Sequence, residues 1–515
     1  MKRLLLISIF LFGHFYLNAQ SLGIVESKNY SGIYDLFKQK NITVHYYEDN
    51  IGIVTGEYKG NLQYSLLDEY GFENEYSYFI HYTNEGELVE LKKSISEIGE
   101  ILFHNQSISV LKIKKASVKE FVPVKNEALV HFDEKVAYLP ENYKSSSFAN
   151  ISYNQDIASM INEIKTDSIE ATISYLSAMP TRDCYSGQII VALNWINSRF
   201  TNYGLDVTTQ ELSDYQIPSF NVIATQQGTT YPEEYVVVGG HADSRSVDNF
   251  APGADDNASG IGGVLEIARI LSQYSFDRTI IYCAFSGEEY GLYGSGYFAS
   301  QFRNEDKNII GYINLDMIGY KDPDQVLHSS LIYPPSALGL ADYYKSICST
   351  YLPNFNVFDG VLSGGSSDHA SFNNQGYMGI FPFEDAQKYS PYIHTREDLL
   401  GTSVNSFDLA KNLTSAALAT VATLADQNAT VSTNDHLNQL NPFVLYPNPA
   451  SDYLTISFKN EEIADIEIFS ILGQSLIRKQ ITGPTSFDIS SLSSGTYIIR
   501  LTSENHSTSQ KILVN

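Results

Sequence analysis

The sequence predicts an α/β core with a largely parallel mixed sheet flanked by helices. An α+β or β-rich domain precedes it and a small β-sandwich follows. Three observations predict this. Between residues 151 and 428, continuous apolar runs alternate with helix-period segments, as expected when both faces of a sheet are covered. Before residue 150 the text is short β-rich runs and polar turns. After residue 441 it returns to short strands and turns with no long helix.

A chain of 515 residues is too long for one compact domain. Hydrophobic residues at 43% and charged residues at 18% mark it as globular. A net charge of -26 argues against nucleic-acid or anionic-membrane partners, which call for a basic face. Residues 1–20, "MKRLLLISIFLFGHFYLNAQ", join a basic start to a short apolar run and a small residue, Ala19, and read as a cleaved secretory signal. No later window is apolar enough to span a membrane. Of three cysteines, Cys283 sits in an apolar strand as a small hydrophobe, while Cys184 and Cys348 could pair in an oxidising compartment.

In residues 21–150, "NITVHYYEDNIGIVTG" and "GEILFHNQSISVLKIK" each read as two strands around an Asp/Asn turn, a sign of internal duplication. No cluster there has ligand or nucleophile spacing, so the segment is an accessory or pro-domain. From residue 151, "SGQIIVALNWINSRFTNYG" places Ile189, Leu193, Ile196 and Phe200 on one helical face and stops at Gly204. "EYVVVGGH" and "RTIIYCAFSGEE" are buried strands, and "NIIGYINLDMIGY" is a third. A helix carrying Val264, Ile267, Ala268 and Leu271 joins the first two. "FDLAKNLTSAALATVATLAD" closes the domain. A polar linker at 429–440 leads to the β-sandwich at 441–515.

Ligands of open parallel sheets collect beyond the carboxyl ends of the strands. Three strands here end in metal-capable side chains: His241 in "GGHADS", Glu288 and Glu289 in "FSGEEYGLYGS", and Asp316 in "NLDMIGY". Asp255 and Asp256 open a helix in "APGADDNASG", and His394 arrives in "YSPYIHTRED". Each piece has a structural reading alone, and Asp255 and Asp256 could simply cap a helix. Together, imidazoles with carboxylates and no thiolate suit zinc, with cobalt or manganese as substitutes. With Asp256 bridging, His241 and Asp316 complete one ion's ligands, and Glu289 and His394 the other's. Two ions so placed hold a water between them. Neighbours on an extended backbone point to different sides, so Glu289 binds metal while Glu288 stays free as general base, then acid. Asp243 is placed to accept the second N–H of His241 and set its tautomer.

"GGHADS", "APGADDNASG", "FSGEEYGLYGS", "NLDMIGY", "SSDHASF" and "YIHT" together resemble the cocatalytic dizinc aminopeptidases of the bacterial leucyl type, metallopeptidase family twenty-eight, over residues 164–426. The resemblance implies His241, Asp256, Glu289, Asp316 and His394 as ligands of two zinc ions, Asp256 as bridge and Glu288 as base. It also implies a cis peptide between Asp256 and Asn257. Some members carry a carbonyl-polarising Tyr directly before the last His. Here Ile393 holds that position and Tyr392 lies one earlier. The tail, with "LYPNPASDYLTI", "IFSILGQ" and "DISSLSSGTYIIRL", resembles the C-terminal sorting domain of type IX secretion, implying the secretion machinery as partner and a secreted or cell-surface location.

Rival chemistries leave fewer marks. None of the eleven histidines is followed by Glu, which excludes an HExxH protease, and no G-x-S-x-G elbow occurs. Ser367, Asp368 and His369 read as pocket wall or as support for the ligands. Alternatives are a carboxypeptidase or glutaminyl cyclase of the same fold, or a non-catalytic surface binding protein. A carboxypeptidase needs a cation for the substrate carboxylate, and only Arg245 and Arg396 lie in the motifs. An aminopeptidase acting on peptides must instead hold an ammonium, which an acidic cluster does. Phe381, Phe383 and Tyr389 fit either an apolar substrate pocket or ordinary core and rim aromatics.

Overall fold

The computed structural model describes residues 21–426, apart from 49, 83–87, 122–127, 141–150, 247–249 and 363–364, and the strands and some turns of 444–514. The expected signal at 1–20, the 429–440 linker and most of the first domain boundary lie outside the described residues. The chain divides into two compact units, Met1–Val431 and Ser432–Asn515.

The first unit opens with the duplication that its two similar hairpins suggest. Strand β1 (Leu22–Glu26), helix α1 (Tyr30–Tyr34) and strands β2 (Ile42–Glu48), β3 (Ile51–Gly56) and β4 (Gln63–Asp68) form a sheet in the order β2-β3-β1-β4. Strand β5 (Tyr76–Tyr82), helix α2 (Leu88–Ile95) and strands β6 (Gly99–His104), β7 (Ile108–Lys114) and β8 (Leu129–Phe132) repeat it as β6-β7-β5-β8. Even the irregularity repeats: the β2–β3 register shifts between Val44 and Tyr46, and the β6–β7 register between Ile101 and Phe103. The sheets share a core of Leu22, Ile24, Ile53, Ile80, Val110 and Val130, while Leu91 and Ile95 of α2 cover the outer face of the second.

The core domain follows with α3 (Gln155–Asn162), α4 (Thr166–Ser177), α5 (Gly187–Asn202), β9 (Asp206–Glu211), β10 (Phe220–Gln226) and β11 (Tyr231–His241). Then come α6 (Gly260–Leu271), β12 (Arg278–Phe285), α7 (Tyr293–Asn304), β13 (Asn308–Asn314) and β14 (His328–Ile332). It closes with α8 (Leu338–Tyr351), β15 (Asn356–Asp359), α9 (His369–Asn374), β16 (Gly379–Phe383) and α10 (Phe407–Ala425). Eight strands form one sheet in the order β15-β14-β16-β13-β11-β12-β10-β9, and β12, β11, β13 and β16 at its centre run parallel. Because successive side chains point to opposite faces, β11 sends Val236 and Val238 into one core and Val237 into the other. The α5 stripe of Ile189, Leu193, Ile196 and Phe200 is buried, and Gly204 follows the helix at φ +80°. All three cysteines are buried and free, so Cys184 and Cys348 are not paired.

The second unit has a three-stranded and a four-stranded antiparallel sheet, and Leu454, Ile466, Ile468, Phe487, Ile499 and Ile512 pack in one core. No helix among the described residues is long and apolar enough to cross a membrane.

Candidate metal centre

Strand order converts the linear pattern into a site. In the sheet β11 lies between β12 and β13, so His241, the Glu288–Glu289 segment and Asp316 leave three adjacent strand ends. Gly240 and Gly260 allow the close approach this needs, since a Cβ on either would stand 2.3 or 2.1 Å from the Leu315 carbonyl oxygen. Asp256 lies in the irregular turn Ala254–Ser259 before α6, and its peptide bond to Asn257 is cis, as the resemblance implies. His394 comes from the segment after β16 and is held at φ +54°, a conformation that side chains other than glycine rarely adopt.

All five expected ligands meet. His241, Asp256 and Asp316 form one trio and Asp256, Glu289 and His394 another, each with donor atoms within 4.8 Å of one another. Asp256 turns Oδ1 to His241 Nε2 at 3.2 Å and Oδ2 to His394 Nε2 at 3.3 Å. Asp316 Oδ1 lies 3.4 Å from His241 Nε2, and Glu289 Oε2 lies 2.8 Å from His394 Nε2. Glu288 stands apart from both trios, with Oε2 4.0 Å from His241 Nε2. Asp243 departs from its expected place. The nearer acceptor for His241 Nδ1 is the Asp243 main-chain carbonyl at 3.1 Å, and the carboxylate is 3.7 Å away. That carboxylate instead receives the main-chain N–H groups of Glu288 at 3.4 Å and Glu289 at 3.3 Å. The cause is sheet register: His241 pairs with Phe285, which brings the β12 exit loop alongside residue 243.

The pocket favours positive charge. Burial, then like charge from Asp368, Glu289 and Asp316, raises the Glu288 carboxyl well above its ordinary range despite His241. Burial and Asp256 raise Glu289. Burial opposes protonation of His241, yet Glu288 and Asp316 raise it well above an ordinary imidazole. Burial is likewise outweighed at His394, which Glu289 and Asp256 push up to about 10. Buried carboxylates resisting charge beside imidazoles seeking it are groups that a divalent cation satisfies together. The buried Glu289 Oε1 and Asp316 Oδ1 have no hydrogen-bond partner among the described residues, which leaves lone pairs for an ion. Two imidazoles and three carboxylates without thiolate suit zinc.

A probable zinc metalloprotease of Leptosphaeria maculans is 30% identical over 300 residues, which cover 48% of this chain and 68% of that protein. The profile of peptidase family M28 matches residues 221–420, the stretch holding all five trio residues and Glu288. This chain belongs to peptidase family M28. As an M28 peptidase it is a zinc hydrolase. A probable zinc metalloprotease of Pyrenophora tritici-repentis is 35% identical over 303 residues, of which it is covered over 62% of its length. A probable aminopeptidase of Saccharomyces cerevisiae is 25% identical over 309 residues, covering 56% of this chain and 81% of that one. The fold is that of the Legionella pneumophila LapA aminopeptidase, with TM-score 0.57 at 20% identity over 68% of this chain and 98% of that one. Residues 444–515 match the secretion system C-terminal sorting domain.

Three residues around the M28 site have side-chain roles that the sequence reading did not assign. Asp398 accepts the main-chain N–H groups of Asp255 at 2.9 Å and Asp256 at 3.0 Å. Arg182, fully buried, donates to the carbonyls of Ala242 at 2.8 Å, Gly253 at 2.9 Å and Pro252, joining the His241 and Asp256 loops. Asn257 Nδ2 donates to Leu315 O at 3.0 Å and its Oδ1 receives Gly260 N–H at 2.9 Å. Asp398, four residues after His394, and Asn257, next to Asp256, lie within the quoted motifs, whereas Arg182 lies outside them. Ser367 donates to Asp316 Oδ2 at 2.7 Å. The peptidase's cavity adds Met317, Leu362, Phe381, Phe383, Tyr389 and Ile393, so the expected aromatics are present and Ile393 takes the place Tyr392 would need. Ala128 and Leu129 of the first domain also line it.

Proposed function

We propose that this chain is a secreted aminopeptidase that removes N-terminal, apolar residues from peptides with a dinuclear zinc site. The observation that carries the reading is Asp256 presenting one oxygen to each of two imidazoles, with Glu288 outside both trios. His241, Asp256 and Asp316 would hold one zinc, and Asp256, Glu289 and His394 the other. Bound there, zinc supplies a Lewis acid for the peptide carbonyl and a lowered pKa for water. Glu288 takes the proton of the attacking water and passes it to the leaving amine as the C–N bond breaks, and its raised affinity for protons suits both roles. The acidic pocket holds the substrate ammonium, and Met317, Phe381 and Phe383 exclude water from the first side chain.

The cavity's surroundings favour this over a carboxypeptidase. None of the described residues lining it is Lys or Arg. Arg182 is committed to carbonyls, Arg245 donates to Glu289 O at 2.6 Å, and the Arg396 guanidinium lies over the Phe250 ring. The sorting-domain match at 444–515 supports export. The decisive test is hydrolysis of leucine p-nitroanilide beside an acetylated leucine analogue, with metal counted per chain. Hydrolysis of the free amine alone, lost on chelation and restored by zinc, supports the reading. Two bound zincs with cleavage only at free carboxyl ends would replace it with a carboxypeptidase.

A further inference from the structure

The segment bearing Glu288 and Glu289 is held from two sides, by the core domain and by the first domain. After β12 the chain turns through Gly287 at φ +75°, Gly291 at +124° and Leu292 at +61°. The N–H groups of Gly291 and Leu292 return to the Glu288 carbonyl at 2.8 and 2.9 Å, closing a compact loop. Core-domain residues restrain it through the two long bonds to Asp243, Arg245 on Glu289 O, Asn221 Oδ1 accepting Ser286 N–H at 3.1 Å, and Asp183 Oδ2 accepting the Tyr290 hydroxyl at 2.6 Å. The other support is β8, which pairs with β5 on one side and presents its free edge to this loop. His131 N–H donates to Gly291 O at 3.1 Å. The approach is so close that a Cβ on Gly291 would stand 2.7 Å from His131 N. The His131 ring lies 4.5 Å from that of Tyr293. Leu292 is buried in the core between the two duplicated sheets, and Tyr290 and Tyr293 in a core that joins α2 to Cys184, Leu212 and Ile217 of the core domain. Two residues before His131 on the same strand, Leu129 lines the cavity with Glu288 and Glu289.

We infer that the first domain is a working part of the active site: the edge of β8 sets the position of the Glu288–Glu289 segment, with His131 and Gly291 as positioning residues. The inference rests on Glu288 being the base, as proposed above. It opposes the role of a pro-segment whose loss releases activity. A detachable inhibitor would cover a site complete without it. Here the loop carrying the base sends Leu292 into the hydrophobic core of the first domain, and undocking would expose it together with the side of Tyr293 that meets Phe79 and His131.

The test uses the full chain loaded with zinc, leucine p-nitroanilide, and amide hydrogen exchange of residues 286–293. His131→Ala removes the ring under Tyr293 from the far domain, and His131→Phe restores an aromatic ring. Displacing the base by about 1 Å costs up to about 100-fold in kcat, so His131→Ala should lower kcat by about 10- to 100-fold with KM and zinc content unchanged. Exchange at 286–293 should quicken, and His131→Phe should recover most of the activity. Gly291→Ala, which forces the contact open from the other side, should do the same and serves if His131→Ala does not fold. Tyr47→Phe removes a 2.7 Å bond to Asn373 O elsewhere between the domains and should leave kcat unchanged. Unchanged or increased kcat in His131→Ala overturns the inference, as does an equal loss in Tyr47→Phe. Should the wild type hydrolyse no peptide at all, the aminopeptidase reading fails, and exchange alone then decides: quickened exchange in His131→Ala supports the docking role and unchanged exchange overturns it.

Discussion

Glu288 and Glu289 are neighbours in sequence with different surroundings. Glu289 Oε2 faces His394 at 2.8 Å and shares a trio with Asp256, while Glu288 belongs to neither trio and has Oε2 4.0 Å from His241 Nε2. Replacing each by Gln should therefore fail differently. Glu288→Gln should lower kcat by about 10²- to 10⁴-fold while both zincs stay bound, because a proton acceptor is lost and not a ligand. Glu289→Gln should lower zinc content itself, read by metal analysis after dialysis. Ser367→Ala leaves Asp316 Oδ2 without its 2.7 Å donor and should weaken zinc about 10- to 100-fold, measured by competition with a chelating dye. The two carboxylates were readable from "SGEE", since their adjacency at a strand end has few other uses. The supporting role of Arg182 was not, because a lone arginine carries no spacing and its partners lie about 60 to 70 residues away.

At the scale of elements, the site depends on how closely β11, β13 and the 254–259 turn converge. Gly240 and Gly260 both face the Leu315 carbonyl, so Gly240→Ala overpacks the junction from which His241 and Asp316 emerge. The expected result is about 1–3 kcal/mol of lost stability in urea unfolding, with a larger fall in zinc affinity than in helix content. Helices α5, α6 and α10 were legible because a 3.6-residue apolar period requires no knowledge of the partner. From its residues the 254–259 segment read as the start of a helix, and the family resemblance added the cis bond at Asp256–Asn257. Its path is set by bonds to residues 315–319, such as Ser259 Oγ with Ile318 N–H at 3.0 Å and Asp255 Oδ1 with Gly319 N–H at 2.9 Å, and no local pattern encodes those.

At the scale of the whole molecule, stability should depend on metal and on acid. A ligand bound only by the folded state stabilises it by about 4 kcal/mol at 1,000 times its Kd, so chelation should lower the thermal midpoint and zinc should restore it. His369 is 4% exposed, and burial pushes its imidazole down to about 3 from the usual 6.5. Between those values the unfolded chain binds the extra proton, so the contribution is complete above pH 6.5 and declines as pH falls toward 3. At about 1.4 kcal/mol per pH unit the single group sets an upper limit of roughly 4–5 kcal/mol. His369→Phe, packed on Phe381, should show a shallower loss of stability over that range in chemical unfolding at stepped pH.

What the sequence by itself determined was the chemistry and its order along the chain. Apolar runs ending in His241, Glu288–Glu289 and Asp316 announce a parallel sheet with ligands beyond its strand ends, because strand burial and donor chemistry are both local properties. Tertiary structure alone decided that β11 lies between β12 and β13 and that Asp243 turns to the 288–289 main chain. It also decided that the duplicated first domain meets the Glu288–Glu289 loop through β8. The reason is physical: these relations are contacts between residues up to about 160 positions apart, formed by shape and hydrogen bonding between surfaces that exist only after each element has folded.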